Sequence, residues 1–113
     1  MTGCKRGEIW MVNFNPGRGS EQKGIRPALI IQNDIGNQYA STTIVAAITT
    51  TIKKYPLTVL VPRGRSSLKE ESMVNLAQIL TIEKERFIKR MGYFDKDKML
   101  EVDEALKISL GVN

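Results

Sequence analysis

The sequence predicts a single α+β domain: five or six short strands that curl into a small barrel, followed by helices. Three observations lead there. From residue 8 to residue 80, apolar residues alternate or run in short blocks separated by Gly, Pro and Asn, the pattern of strands and turns. After residue 80 the spacing lengthens, and Met99, Val102, Leu106 and Leu110 recur at helical intervals. At 113 residues the chain is long enough for one hydrophobic core and too short for two domains, so residues 1–113 form a single unit.

The first strand is read at "EIWMVNF" (8–14), with Trp10, Val12 and Phe14 on the face of Glu8. "NPGRGSEQKG" (15–24) carries Pro16, Gly17, Gly19 and Gly24, which predict a mobile basic loop. "PALIIQ" (27–32) is a continuous apolar run suited to a strand buried on both faces, with Pro27 tolerated at its start. "NDIGN" (33–37) reads as a turn. "STTIVAAITTTI" (41–52), "LTVLV" (57–61) and "MVNLAQIL" (73–80) read as three more strands, separated by the basic turn "KKYP" and the exposed loop "RGRSSLKEES". Thr81 is then the predicted N-cap of a short helix, with Glu83 and Glu85 early and Lys89 and Arg90 late, ending before Gly92. Asp95 caps the predicted C-terminal helix, and Gly111 stops it.

Seventeen basic and twelve acidic residues give a formal net charge of +5. The excess lies in the front of the chain, where residues 1–65 hold only Glu8, Glu21 and Asp34 as acids. A polyanion such as nucleic acid suits that half; general solubility explains the charge equally well. With no histidine and one cysteine, imidazole catalysis and a structural zinc site are excluded. A two-metal nuclease needs several converging carboxylates, which the basic half lacks. No cofactor is expected. No apolar stretch is long enough for a membrane span, and the N-terminus has no signal-peptide core. A lone Cys4 fits a reducing cytoplasm, with the thiol inert.

"KRGEIW", "GSEQKGIRPALIIQND", "TTIVAAITT", "LAQILTIEKERF" and "VDEALKISLGVN" occur in this order over nearly the whole chain. In these blocks the sequence resembles the bacterial MazF/PemK-type toxins. That resemblance implies a CcdB/MazF-type, SH3-like barrel with a C-terminal helix, working as a homodimer. It implies a ribosome-independent, sequence-specific endoribonuclease that cuts single-stranded RNA without metal, leaving 2′,3′-cyclic phosphate and 5′-hydroxyl ends. It also implies an antitoxin partner with an acidic, partly disordered tail covering the RNA site, and operator DNA bound together with that antitoxin.

Metal-free cleavage is open to RNA because its 2′-hydroxyl is itself the nucleophile, and a cation, a hydroxyl and a polar amide suffice to align it and neutralise the phosphoryl charge. Arg26, Thr49 and Gln78 each fall near the end of a predicted strand. The forked guanidinium of Arg26 binds two phosphate oxygens at once; a strand-end salt bridge to Glu21 or Asp34 is the competing explanation. Thr49 shares a strand face with Val45 and Ala47, although β-propensity alone accounts for it as well as for Thr50 and Thr51. The family match selects Thr49 as a contact to the scissile phosphate and Arg26 as catalytic. Glu21 could orient Arg26 or take a proton, and Ser20 lies beside it in the loop. Gln78 is placed with Val74, Leu76 and Leu80, where it is either a satisfied core amide or a substrate contact. Arg18, Lys23, Lys53, Lys54 and Tyr55 are candidates for an RNA-binding rim, with Tyr39 a second stacking platform; a solvated charged surface is the alternative for at least half of them.

The chain departs from its relatives at Ala77 and Leu80, where many read an acid and a base, and at Asn15 and Arg18. The recognition sequence is therefore not transferable. Two rivals remain from sequence alone: a CcdB-like, non-enzymatic toxin of DNA gyrase, and an SH3-like RNA- or protein-binding module.

Overall fold

The computed structural model describes residues 3–15 and 24–113. The elements are β1 (Glu8–Asn13), β2 (Ile25–Ile30), α1 (Asp34–Tyr39), β3 (Thr42–Thr49), β4 (Thr58–Val61), β5 (Ser72–Glu83), β6 (Phe87–Tyr93) and α2 (Lys96–Leu110). Short 3₁₀ turns occupy Arg65–Ser67 and Lys84–Arg86. All strand pairs are antiparallel, in the order β4-β5-β3-β2-β1-β6.

Connectivity forces this sheet to curl. β5 and β6 are separated within it by β3, β2 and β1, yet only the three-residue turn Lys84–Arg86 joins them in sequence. So short a link reaches only if the sheet bends round on itself. One face thereby closes over a core of Cys4, Val12, Phe14, Ala28, Ile30, Val45 and Phe87, with Trp10, Leu80 and Ile82 against it. Trp10 and Phe87 meet edge to face at 5.8 Å. The other face packs Ile9, Leu29, Ala46, Ile48, Val59, Val61, Val74 and Leu76 against Val102 and Ala105 of α2. β2 contributes to both cores, and its Ala28, Leu29 and Ile30 are fully buried, as its unbroken apolar run requires.

The outer strands β4 and β6 do not pair with each other, so the barrel stays open along that seam. The 3₁₀ turn after β4 bridges it: Ser66 Oγ donates to the Tyr93 carbonyl at 3.1 Å. Gly92 is needed there, since a Cβ would sit 3.0 Å from the Ser66 carbonyl oxygen.

β5 is one strand with a break in it. Ala46 pairs with Ile79 but its neighbour Ala47 pairs with Asn75, so Leu76, Ala77 and Gln78 bulge out of the ladder. The backbone groups this frees are satisfied elsewhere. Leu76 N–H donates to the Leu57 carbonyl at 2.8 Å, Ala77 N–H to Asn75 Oδ1 at 3.0 Å, and Ser109 Oγ of α2 donates to the Leu76 carbonyl at 2.6 Å. α2 is further tied by Lys98 to the Leu60 carbonyl and by Arg6 to Asp103 at 2.7 Å. It is capped as expected, with Asp95 accepting from Lys98 N–H at 2.8 Å and Gly111 at φ +70°.

Two expectations are corrected. Residues 81–90 form no helix: β5 runs on to Glu83, the 3₁₀ turn follows, and β6 begins at Phe87. Thr81 is paired with Ile44 rather than capping anything. The β-branched and aromatic residues Ile82, Phe87 and Ile88 support strands, and pairing with β3 and β1 outweighs the charge pattern that imitated a helix. The fold's short helix is instead α1, where a turn was expected; Asn33 caps it by accepting from Gly36 N–H at 2.9 Å.

α1 is locked by Asp34, whose carboxylate accepts from Arg6 N–H at 2.8 Å and from Asn37 Nδ2 at 3.1 Å. The Arg6 amide above all, and then Asn37, hold this carboxyl below its ordinary range despite some desolvation. A lowered folded-state pKa gives stability that is complete above the unfolded value, about 3.9, and is lost as the pH falls through the folded one. Asp34→Asn should therefore make thermal stability fall less steeply on acidification below pH ~4 than in the parent, as read from melting curves.

Candidate functional site

β2 and β3 pair with Ala28 opposite Ala47 and Leu29 opposite Ala46. That register, carried two residues beyond Ala28, sets Arg26 level with Thr49. In β3–β5, Thr49 is opposite Met73 and Ala47 opposite Asn75; in β4–β5, Asn75 is opposite Thr58. On β1, Val12 lies opposite Arg26. Residues opposite one another in an antiparallel sheet share a face, so Arg26, Thr49, Met73, Asn75 and Thr58 occupy one face, at the end of the strands beyond the closed core. Arg26 is exposed and Thr49 half-buried. This is a lip: an apolar floor of Val12 and Ala28, both fully buried, carries a cation and hydroxyls at its edge.

The backbone after β3 brings further groups to that edge. Thr49 Oγ1 accepts from Thr51 N–H at 3.1 Å, which orients the hydroxyl oxygen. Lys53 N–H donates to Met73 Sδ at 3.3 Å, holding the basic turn beside Thr49. Lys53 Nζ stands 5.7 Å from the centre of the Tyr55 ring, a cation–π contact. Tyr55 in turn is fixed by Thr58, whose Oγ1 donates to the Tyr55 carbonyl at 2.9 Å and accepts from Tyr55 N–H at 3.2 Å. Lys53, Lys54 and Tyr55 are all exposed. The structure thus gathers Arg26, Thr49, Lys53 and Tyr55 at one end of the sheet.

Tyr39 lies elsewhere. It is 81% exposed in α1, just before the opposite end of β3, which an eight-residue strand puts roughly 20 Å or more from Thr49. Gln78 needs a correction too. The bulge breaks the alternation of β5, so Val74 and Leu76 belong to the α2-facing core and Leu80 to the other. Gln78 is half-buried within the bulge itself, between the rung of Asn75 and that of Ile79. Arg18, Ser20, Glu21 and Lys23 lie outside the described residues.

Sequence reasoning passed over Asn75 and Thr58. Asn75 sits on the face of Thr49 and Arg26 while its Oδ1 holds the bulge at Ala77. The available signal was the broken alternation of "VNLAQIL", where the polar Gln78 takes the apolar phase of Leu76 and Leu80 and Ile79 takes the opposite one. Of the acids in the front half, Glu8 accepts from Lys5 N–H and Trp10 Nε1 and pairs with Arg90, while Asp34 is held by Arg6 and Asn37. Both are engaged in the fold. Cys4 is 5% exposed, and burial raises its thiol pKa, in keeping with an inert side chain. Among the described residues, no group of three or more His, Cys, Asp or Glu side chains gathers to hold a metal ion. Nor is any helix long and apolar enough to cross a membrane.

A curled antiparallel sheet with a C-terminal helix on one face and a cationic lip on the other defines an SH3-like barrel of the CcdB/MazF type. An endoribonuclease in complex with its cognate antitoxin from a Mycobacterial species superposes with a TM-score of 0.84 at 22% identity, over 98% of each chain. MazF from Deinococcus radiodurans superposes with a TM-score of 0.81 at 27% identity, over 96% of this chain and 97% of that one. The chain belongs to the PemK-like, MazF-like toxins of type II toxin–antitoxin systems, whose family model matches residues 5–110. Among curated relatives, the endoribonuclease MazF of Staphylococcus epidermidis is 44% identical over 111 residues, 96% of this chain and 92% of that protein.

Asn75→Ala removes the acceptor for the Ala77 amide. It should cost about 1 kcal/mol of stability in urea unfolding, because the bulge loses one of its three compensating hydrogen bonds.

Proposed function

We propose that this toxin is a metal-independent endoribonuclease that cuts single-stranded RNA, mRNA in the cytoplasm, at chosen sequences by attack of the ribose 2′-hydroxyl. The observation that carries the proposal is the Ala28–Ala47 register, which, extended two residues along each strand, sets the exposed Arg26 level with Thr49. The S. epidermidis relative bears the name of an endoribonuclease, which supports the same reading.

In the proposed reaction the 2′-oxygen attacks the adjacent phosphorus, the bond from phosphorus to the 5′-oxygen breaks, and a 2′,3′-cyclic phosphate and a 5′-hydroxyl result. The 2′-hydroxyl gives up one proton, and the leaving 5′-oxygen gains one. Intramolecular attack removes much of the entropic barrier, so the protein must chiefly align the groups and stabilise charge. Arg26 binds two phosphoryl oxygens as negative charge accumulates. Thr49 donates its hydroxyl to the same phosphate while its oxygen is held by the Thr51 amide. Arginine stays protonated at neutral pH and is a poor base; proton transfer falls to Glu21, a water or a transiently neutral Arg26, and the pH profile below decides for or against Glu21.

Lys53, Lys54 and Arg18 contact phosphates, Tyr55 stacks on a base, and Gln78, Asn75, Ser20 and Lys23 contact the flanking nucleotides. Ala77 and Leu80, where many MazF-type toxins carry an acid and a base, keep a relative's recognition sequence from being carried over to this chain. The toxin acts as a homodimer, and an antitoxin with an acidic, partly disordered tail occupies the lip by charge complementarity; the pair binds operator DNA.

Incubated with a long single-stranded RNA in EDTA, the protein should give discrete fragments. Arg26→Ala should lower kcat about a hundredfold, the usual loss of one such transition-state contact. A 2′-deoxy ribose on the 5′ side of the cut should abolish cleavage there while binding persists. Cleavage of that substrate would mean water is the nucleophile, and intact RNA with inhibited DNA gyrase would favour a CcdB-like toxin instead. The rate should also fall on the acid side through the ordinary carboxylate range, and that limb should vanish in Glu21→Gln. An unchanged profile would remove Glu21 from the mechanism.

A further inference from the structure

We propose that Arg86 is a positioning residue for the cut: it roots the connection between β1 and β2 and so fixes the place from which Arg26 works. The inference rests on the role given to Arg26 above. Arg86 ends the 3₁₀ turn between β5 and β6 and immediately precedes Phe87. Phe87 lies opposite Val12, and Val12 lies opposite Arg26 on its other side. Arg86 is half-buried, and its Nη1 donates to two main-chain carbonyls at the end of β1, those of Asn13 (3.4 Å) and Asn15.

Those carbonyls belong to a small knot that joins the two sides of the connection. Phe14 N–H donates to the Gly24 carbonyl at 2.9 Å, Gly24 N–H to Asn15 Oδ1 at 2.8 Å, and Asn15 N–H to Asn13 Oδ1 at 3.0 Å. Gly24, at φ +75°, then turns the chain into β2, and Arg26 follows two residues later. Charge-assisted donation to backbone carbonyls is stronger than the neutral bonds around it. The single Nη1 amino group serves both carbonyls, and its two N–H directions are fixed in the guanidinium plane, whereas an ammonium rotates freely. The turn that curls the sheet thereby also sets the entry of the strand bearing the cation. Misplacing a catalytic group by about 1 Å can cost up to about a hundredfold in rate. A purely structural anchor for β6 would lower stability and leave kcat alone.

The test uses the full-length toxin with Arg86→Gln and Arg86→Lys variants. In Arg86→Gln, backbone amide exchange at Phe14 and Gly24 should quicken at least about tenfold while Leu29 stays protected. Its kcat on RNA should fall at least about tenfold with KM within about twofold. Arg86→Lys should recover part of the kcat, since lysine still donates to a carbonyl. Unchanged exchange at Phe14 and Gly24 would overturn the proposal, and so would faster exchange with kcat intact. A parent protein that leaves RNA whole would instead refute the ribonuclease reading, and the exchange rates would still decide whether Arg86 roots the connection.

Discussion

Three residues, Lys84–Arg86, join strands that sit at opposite sides of β3, β2 and β1. No flat sheet permits that link, and the curl it imposes organises the rest of the molecule. It closes one face over Trp10, Val12, Ile30, Val45 and Phe87, leaving the other free to receive α2. It also leaves the ends of β2 and β3 projecting beyond the closed core, so that Arg26 and Thr49 stand at a lip rather than in an interior.

The bulge at Leu76–Gln78 lets β5 serve both cores. Up to its first residue, Val74 and Leu76 face α2; beyond it, Leu80 and Ile82 face the closed core. An unpaired backbone group buried in such a place would cost a few kcal/mol, and here Leu57, Asn75 and Ser109 supply the missing partners. The last of these comes from α2, so the helix is a condition for the bent strand as well as a cover for the core. The bend in turn puts Gln78 between the rung of Asn75 and that of Ile79.

Much of this was legible in the sequence because local and tertiary preferences agreed. β1, β2 and α2 follow from alternation, an unbroken apolar run and paired caps, and Val12, Phe14, Ala28, Leu29, Ile30 and Val102 are buried where the pattern put them, while Leu110 at the end of α2 is exposed. "TIEKERFIKR" misled because its charges fit a helix while its β-branched and aromatic residues fit a strand; pairing with β3 and β1 decided the matter. Gln78 was assigned to the wrong rung because period two was carried across a bulge that the sequence only hints at. Arg26 and Thr49 were found separately, from residue chemistry and family likeness. Their level placement is a property of register, which no single strand encodes.

The account's central claim is that a phosphodiester sits between Arg26 and Thr49. The most direct measurement is a crystal structure with a single-stranded RNA carrying a 2′-deoxy sugar at the cut. The account predicts the scissile phosphate within hydrogen-bond reach of both the guanidinium and the Thr49 hydroxyl, with its 5′-oxygen in line with the missing 2′ position. A phosphate bound away from this lip, with Arg26 and Thr49 contacting only protein, would contradict it.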